Sequence, residues 1–145
     1  MATRLREPNC TFCNPNPDRV VFETALSYAS VPDRPASPGH VVVVTKNHLR
    51  SLETLSEGEA SDVFALSNRV AKVAAKQIGA ERVYSLSIGD VDPHFHVHLL
   101  PKLREQSPLG PYVFGDKGWT AEDNARKQPF DQDSYARELK RLVSG

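Results

Sequence analysis

Three histidines at alternate positions in His94-Phe95-His96-Val97-His98-Leu99-Leu100 constrain this chain more tightly than any other stretch. A pattern of period two fits an extended strand, where neighbouring side chains point to opposite faces. His94, His96 and His98 then share one face, while Phe95, Val97 and Leu99 point into a core. The chain has only 5 histidines in 145 residues, so a row of three backed by apolar anchors reads as a reactive surface on a rigid element.

The rest of the pattern supports an α+β domain. His40-Val41-Val42-Val43-Val44-Thr45 is a β-branched run suited to a strand buried on both faces. It follows a turn-rich connector at residues 30–39 that holds three prolines. Val20 to Glu23 and Ala25 to Tyr28 are weaker strand candidates. Ser56 to Ile78 is the one long helix: Ser56 and Glu59 have capping-box spacing, and Val63, Leu66, Val70, Val73 and Ala74 recur at helical intervals. Gly79 supplies the stop. Arg82 to Ile88 alternates again, and the turn at Gly89 to Pro93 joins it to the histidine strand as a hairpin. Tyr135, Leu139 and Leu142 suggest a short terminal helix. Residues 105–130 mix Pro, Gly, Asp and isolated aromatics and read as a surface wrap, with Trp119 either a reach across a dimer or a surface anchor. Turn-linked strands with one long helix give an antiparallel sheet, and a length of 145 residues fits a single domain.

Charge excludes some partners. The chain has 18 basic and 18 acidic residues, which argues against bulk binding to a nucleic-acid polymer or an anionic membrane. A small phosphorylated ligand needs only a few local donors. The N-terminus has no apolar run of signal-peptide length, and Val41 to Val44 is too short to span a bilayer. A cytoplasmic protein is expected.

Three histidines in a row admit several chemistries. His94 and His98 stand about 13 Å apart along an extended strand, whereas Zn–N bonds are about 2 Å, so one ion held by all three rings is awkward. Neutral imidazole is a good nucleophile at pH 7 and can form a phosphoramidate that water later cleaves. His96 is the only member flanked on both sides. The bland reading is an exposed or core-satisfied histidine cluster. Cys10 and Cys13 also leave choices open, as a redox pair, as unrelated core thiols, or as half of a zinc site that needs two more ligands. Asp90 and Asp92 read either as paired catalytic carboxylates or, the commoner case, as turn residues. Lys46, Lys102 and Arg104 could add positive charge near a phosphate but are more often solvated surface groups.

The His-x-His-x-His pattern followed by two apolar residues resembles the signature of the histidine-triad (HIT) superfamily. Cys10-Thr11-Phe12-Cys13 resembles its N-terminal Cys-x-x-Cys. Ser37-Pro38-Gly39-His40 through Lys46-Asn47-His48 resembles its Pro-Gly-His, strand, Lys-x-His segment. The likeness covers residues 10–104 and leaves 105–145 as a C-terminal extension. It implies a HIT-like fold with a five-stranded antiparallel sheet, usually paired as a homodimer. It also implies action at the α-phosphate of nucleoside phosphoramidates or dinucleoside polyphosphates, through a nucleotidyl-histidine intermediate. A purine nucleotide or dinucleotide is then the substrate. By position His96 becomes the nucleophile, His98 the partner of phosphate or leaving group, and His94 and His40 the residues that orient them. Phe12 would line the base pocket. Asp33, one residue short in spacing, would hold the ribose, and Ser87 would replace an Asn on the preceding strand. Some bacterial members complete a Cys-x-x-Cys zinc site with residues equivalent to His48 and His94. The loop Gly89-Asp90-Val91-Asp92-Pro93 departs from the family, which often carries Gln and a hydroxyl there. That departure supports an alternative, a zinc-stabilised nucleotide-binding protein with little turnover. A His-ligated metallohydrolase is a third possibility.

Overall fold

Two strands enter the sheet through a side-chain-braced turn. Thr24 Oγ1 accepts from the backbone N–H of Leu26 and of Ser27, and Thr24 N–H donates to Ser27 C=O at 2.9 Å. This turn uses up Ala25 and Leu26, so the second strand begins at Ser27, two residues later than the sequence pattern suggests. The computed structural model describes residues 4–106, 108 and 131–145. Trp119 and most of the expected surface wrap lie outside those residues.

The strands are β1 (Val20–Glu23), β2 (Ser27–Ser30), β3 (Val41–Thr45), β4 (Arg82–Leu86) and β5 (His96–Lys102), with helices α1 (Glu57–Ile78) and α2 (Gln132–Ser144). They form one five-stranded sheet in the order β1-β2-β3-β5-β4, and each neighbouring pair is antiparallel. β4 and β5 make the expected hairpin. β4 stops at Leu86, however, and leaves Ile88 exposed in the loop.

Helix α1 starts where the capping box predicts. Ser56 Oγ accepts from Glu59 N–H, the Glu59 carboxylate accepts from Ser56 N–H, and Gly79 ends the helix at φ 73°. Its inner stripe, Val63, Leu66, Val70 and Ala74, packs on Ala29, Val41, Val43, Phe95, Val97 and Leu99 of the sheet. Helix α2 joins this layer through Tyr135, Ala136, Leu139 and Val143. Val143 takes the inner position expected of Leu142, because spacings of four from Tyr135 keep to one helical face. Among the described residues no helix is long and apolar enough to cross a membrane.

β3 is buried on both faces because a second, smaller layer covers the other side. Val42 and Val44 pack there with Tyr28, against Phe12 and Val20. Phe12 comes from the N-terminal segment, whose backbone is tied down by Tyr28: its hydroxyl donates to Phe12 C=O at 2.6 Å. The imidazole row lies on this second face.

Candidate active site and metal centre

β5 runs between β3 and β4, and that position fixes the imidazoles. Val44 is paired with His96, while Val42 and Leu86 flank His98 from the two neighbouring strands. The approach to β5 is pinned where Phe95 N–H donates to Leu49 C=O at 2.5 Å.

Backbone groups at each end of the row determine where every ring proton sits. Ala36 N–H donates to His40 Nδ1 at 3.0 Å, so the neutral His40 ring carries its hydrogen on Nε2. That Nε2–H meets His98 Nδ1 at 2.9 Å, which makes His98 Nδ1 an acceptor and leaves its hydrogen on Nε2. His98 Nε2–H then donates to His96 Nε2 at 3.0 Å. From the other end, His96 Nδ1–H donates to the His94 carbonyl at 2.6 Å. Both directions agree: the lone pair of His96 is on Nε2. His94 Nε2–H donates to Thr45 C=O at 2.6 Å, so its free lone pair is on Nδ1.

Burial keeps the His40, His94 and His98 rings neutral. It pushes His40 down to about 3, with His98 and His96 adding repulsion. His94 falls to about 4, mainly by burial. His98 also falls to about 4 by burial and the nearby His96, against an opposing pull from the Asp92 carboxylate. His96 itself is only 4% exposed. Its ring lies under Phe12, at a centroid distance of 4.5 Å, and its lone pair is occupied by half-buried His98. A ligand reaches Nε2 only by opening the His96–His98 hydrogen bond.

His94 turns away from this pair. Its Nδ1 lies 3.3 Å from Cys10 Sγ and 3.5 Å from Cys13 Sγ, and His48 Nδ1 lies 3.4 Å from Cys13 Sγ. The four ligand atoms fall within 4.8 Å of one another, as a group that could hold a metal ion. A tetrahedral centre with ordinary Zn–S and Zn–N bonds has N···S edges of about 3.6 Å, close to those observed. The donors also suit a cation: His94 presents a lone pair, and Glu7 N–H donates to Cys13 Sγ at 3.4 Å, as expected for a thiolate acceptor. Burial raises the Cys10 thiol in spite of backbone N–H groups at Cys13 and Phe12 that favour its thiolate, so a metal is what would complete the ionisation. Asn47 secures the framework, its Oδ1 accepting from Leu5 N–H and its Nδ2 donating to the buried Glu59 carboxylate. With His94 committed to the cysteines, the three triad rings do not converge on one ion.

The remaining expected residues are scattered. Asp33 has a 70% exposed side chain and faces Arg19 at 3.8 Å, making no hydrogen bond to the imidazoles. Ser87 is exposed one residue past β4, whereas its neighbour Leu86 is the residue beside His98. Lys102 is neither solvated nor near the row. It is buried and donates to Glu81 and to Leu103 C=O. The anchors supplied by Ala36 N–H and the Thr45 and His94 carbonyls are invisible in a side-chain pattern. Tyr28 was legible only as a strand residue.

The family comparison takes in the imidazole row and the Pro-Gly-His to Lys-x-His segment, and begins just after Cys13. The HIT domain family model matches residues 14–105. The chain belongs to this family. The HIT chain is 33% identical over 112 residues to "Adenosine 5'-monophosphoramidase hnt1" of Schizosaccharomyces pombe, covering 70% of this chain and 80% of that one. It is 31% identical over 103 residues to the same organism's "Bis(5'-nucleosyl)-tetraphosphatase [asymmetrical]", covering 68% of this chain but only 57% of that relative. A zinc-bound histidine triad family protein from Mycobacterium smegmatis shares the fold at a TM-score of 0.68 and 20% identity, with 94% of each chain covered.

Proposed function

We propose that this HIT protein is a nucleotide hydrolase or transferase acting at the α-phosphate of nucleoside phosphoramidates or dinucleoside polyphosphates. The observation that carries the reading is the proton order of the imidazole row, which leaves His96 Nε2 as a lone pair backed by Nδ1–H on a carbonyl. The names of the relatives, a phosphoramidase and a tetraphosphatase, support it.

The steps follow from that order. A bound α-phosphate takes the place of His96 at His98 Nε2–H, and its negative charge makes His98 easier to protonate. His96 Nε2 attacks phosphorus. The P–N or P–O bond to the leaving group breaks, its electron pair goes to the departing atom, and His98 Nε2 delivers a proton there where one is needed. The His96 ring gains positive charge as the new P–N bond forms, and the Nδ1–H···O=C bond to His94 strengthens with it. A charge-assisted bond of this type is worth about 1.5–3 kcal/mol. Water then attacks the nucleotidyl-histidine and releases the nucleoside monophosphate with the His96 electron pair restored; its proton returns to His98 Nε2 where that nitrogen gave one up, and otherwise passes to solvent. His40 keeps His98 in the required tautomer, and Phe12 lies where it would line the base site. Asp33 would hold the ribose hydroxyls and Ser87, next to the Leu86 that flanks His98, would contact the phosphate.

Zinc is the metal that best suits two thiolates and two imidazoles. Cys10, Cys13, His48 and His94 would hold it, and it would brace the N-terminal segment that carries Phe12. Operation in the reducing cytoplasm suits the paired thiols. A homodimer completes the reading. The burial of His96 favours one rival, a nucleotide-binding protein with little turnover. His96→Ala separates them: it should abolish hydrolysis of adenosine phosphoramidate, by at least 1,000-fold on the scale of lost covalent catalysis (about 4 kcal/mol), while AMP still binds. Unchanged turnover would refute the nucleophile role, and a parent protein that binds AMP but hydrolyses nothing would select the rival.

A further inference from the structure

Three residues of the site face lie in one line across the sheet. Tyr28 of β2 pairs with Val44 of β3, and Val44 pairs with His96 of β5. Neighbouring strands are about 4.8 Å apart, so the Tyr28 and His96 backbones stand about 10 Å apart with Val44 between them. Phe12 of the N-terminal segment spans this line. Its carbonyl accepts from the Tyr28 hydroxyl at 2.6 Å. Its ring lies 4.5 Å from the His96 ring, centroid to centroid, at a tilt of 35°. Between these two ends it packs on the layer formed by Tyr28, Val42 and Val44.

The carbonyls next to Phe12 are used inside the segment itself. Asn14 Nδ2 donates to Pro8 C=O and Cys10 C=O, and Asn14 N–H donates to Thr11 C=O. The Phe12 carbonyl is instead taken by the sheet, from a tyrosine that is only 2% exposed. Burial pushes that hydroxyl above the usual tyrosine range, so it stays a donor at neutral pH. A carbonyl carbon is bonded to its own Cα, so holding the carbonyl restricts where the Phe12 side chain points. Phe12 is half-buried, so its ring rests on His96 and still has surface for a ligand.

We propose that Tyr28 is a positioning residue for the purine, its hydroxyl holding Phe12 as a fixed platform on which the base stacks. This rests on the reading that His96 attacks the α-phosphate of a purine nucleotide. Base, ribose and phosphate are one covalent unit. A base held at one height therefore sets how closely phosphorus approaches His96 Nε2. Without the hydroxyl the ring is free to tilt, and the phosphate meets His96 in line less often. Tyr28 acts through Phe12.

Tyr28→Phe is the direct test, since it removes one oxygen and keeps the ring that packs on Val42 and Val44. Full-length parent, Tyr28→Phe, Phe12→Leu and the double variant would be compared on adenosine phosphoramidate and on ribose 5-phosphoramidate, which has no base. The readout is kcat/KM for the first compound over the second, a ratio that a general loss of folded protein does not move. Tyr28→Phe should lower it about tenfold, the scale of a slight misplacement of reacting atoms. Phe12→Leu should lower it by about tenfold or more through loss of the stack. With the platform gone, adding Tyr28→Phe to Phe12→Leu should change the ratio by less than about twofold. A ratio unmoved by Tyr28→Phe, or full additivity in the double variant, would overturn the proposal. Equilibrium binding of AMP and of ribose 5-phosphate separates it from the reading it rests on. In a parent that hydrolyses neither compound, an AMP preference lowered about fivefold by Tyr28→Phe would uphold the platform and end the nucleophile role of His96. An unmoved preference in that parent would overturn both.

Discussion

His40 and His98 show how a residue's protonation is decided by its neighbours rather than by its type. His40 is buried and His98 half-buried, and each has a ring nitrogen committed as an acceptor, His40 to Ala36 N–H and His98 to His40 Nε2–H. Their folded values, about 3 and about 4, lie below the value of about 6.5 for an unfolded histidine. The unfolded chain therefore takes up protons first as pH falls. The stability these neutral rings contribute is complete above about pH 6.5 and is lost as pH falls towards 4, by up to about 1.4 kcal/mol per pH unit for each ring. Thermal unfolding between pH 7 and pH 4.5 should show a falling Tm before most carboxylates titrate. His40→Asn should flatten that slope; an equal slope in the variant would mean that the His40 ring does not supply it.

The connector into β3 shows what an element demands of single residues. Gly39 adopts φ +88°, and a Cβ there would meet Ile78 Cγ1 at 3.0 Å and Pro101 Cγ at 3.2 Å. Its carbonyl also accepts from the Tyr135 hydroxyl of α2 at 2.9 Å. Gly39→Ala should cost at least about 2 kcal/mol, combining left-handed strain of about 1–2 kcal/mol with the forced movement of packed atoms. Urea unfolding measures it, and a loss below about 0.5 kcal/mol would contradict the account. Elements with a strong period were legible in advance: the capping box and Gly79 framed α1, and alternation revealed β5. β2 was displaced because the Thr24 hydroxyl closes a turn that composition does not announce. The site was half legible for a similar reason. The row, His40 and the Cys-x-x-Cys pair announce themselves by spacing. Asp33 shares Arg19 with Asp133 of α2, at 3.8 Å and 3.3 Å, a pairing across more than a hundred positions that no local pattern announces.

At the scale of the molecule, the N-terminal segment is what turns a sheet face into a site. It is attached to the sheet through Tyr28, through Asn47 and through the Cys10, Cys13, His48 and His94 cluster. His94 serves both centres, since its ring faces the thiols while its carbonyl holds His96. Metal analysis of protein purified without added zinc should find about one ion per chain, and strong chelation should lower Tm by several degrees, because a ligand bound only by the folded state stabilises it. Metal-free protein with an unchanged Tm would remove zinc from the account without touching the imidazole row. That row carries the central claim, and rapid acid-free quenching during turnover of adenosine phosphoramidate, followed by peptide mass spectrometry, tests it most directly. The account predicts an AMP adduct on the peptide containing His96, assigned to that ring and missing from His96→Ala. Turnover with the adduct on another residue, or with no adduct in a quench fast enough to trap one, would contradict it.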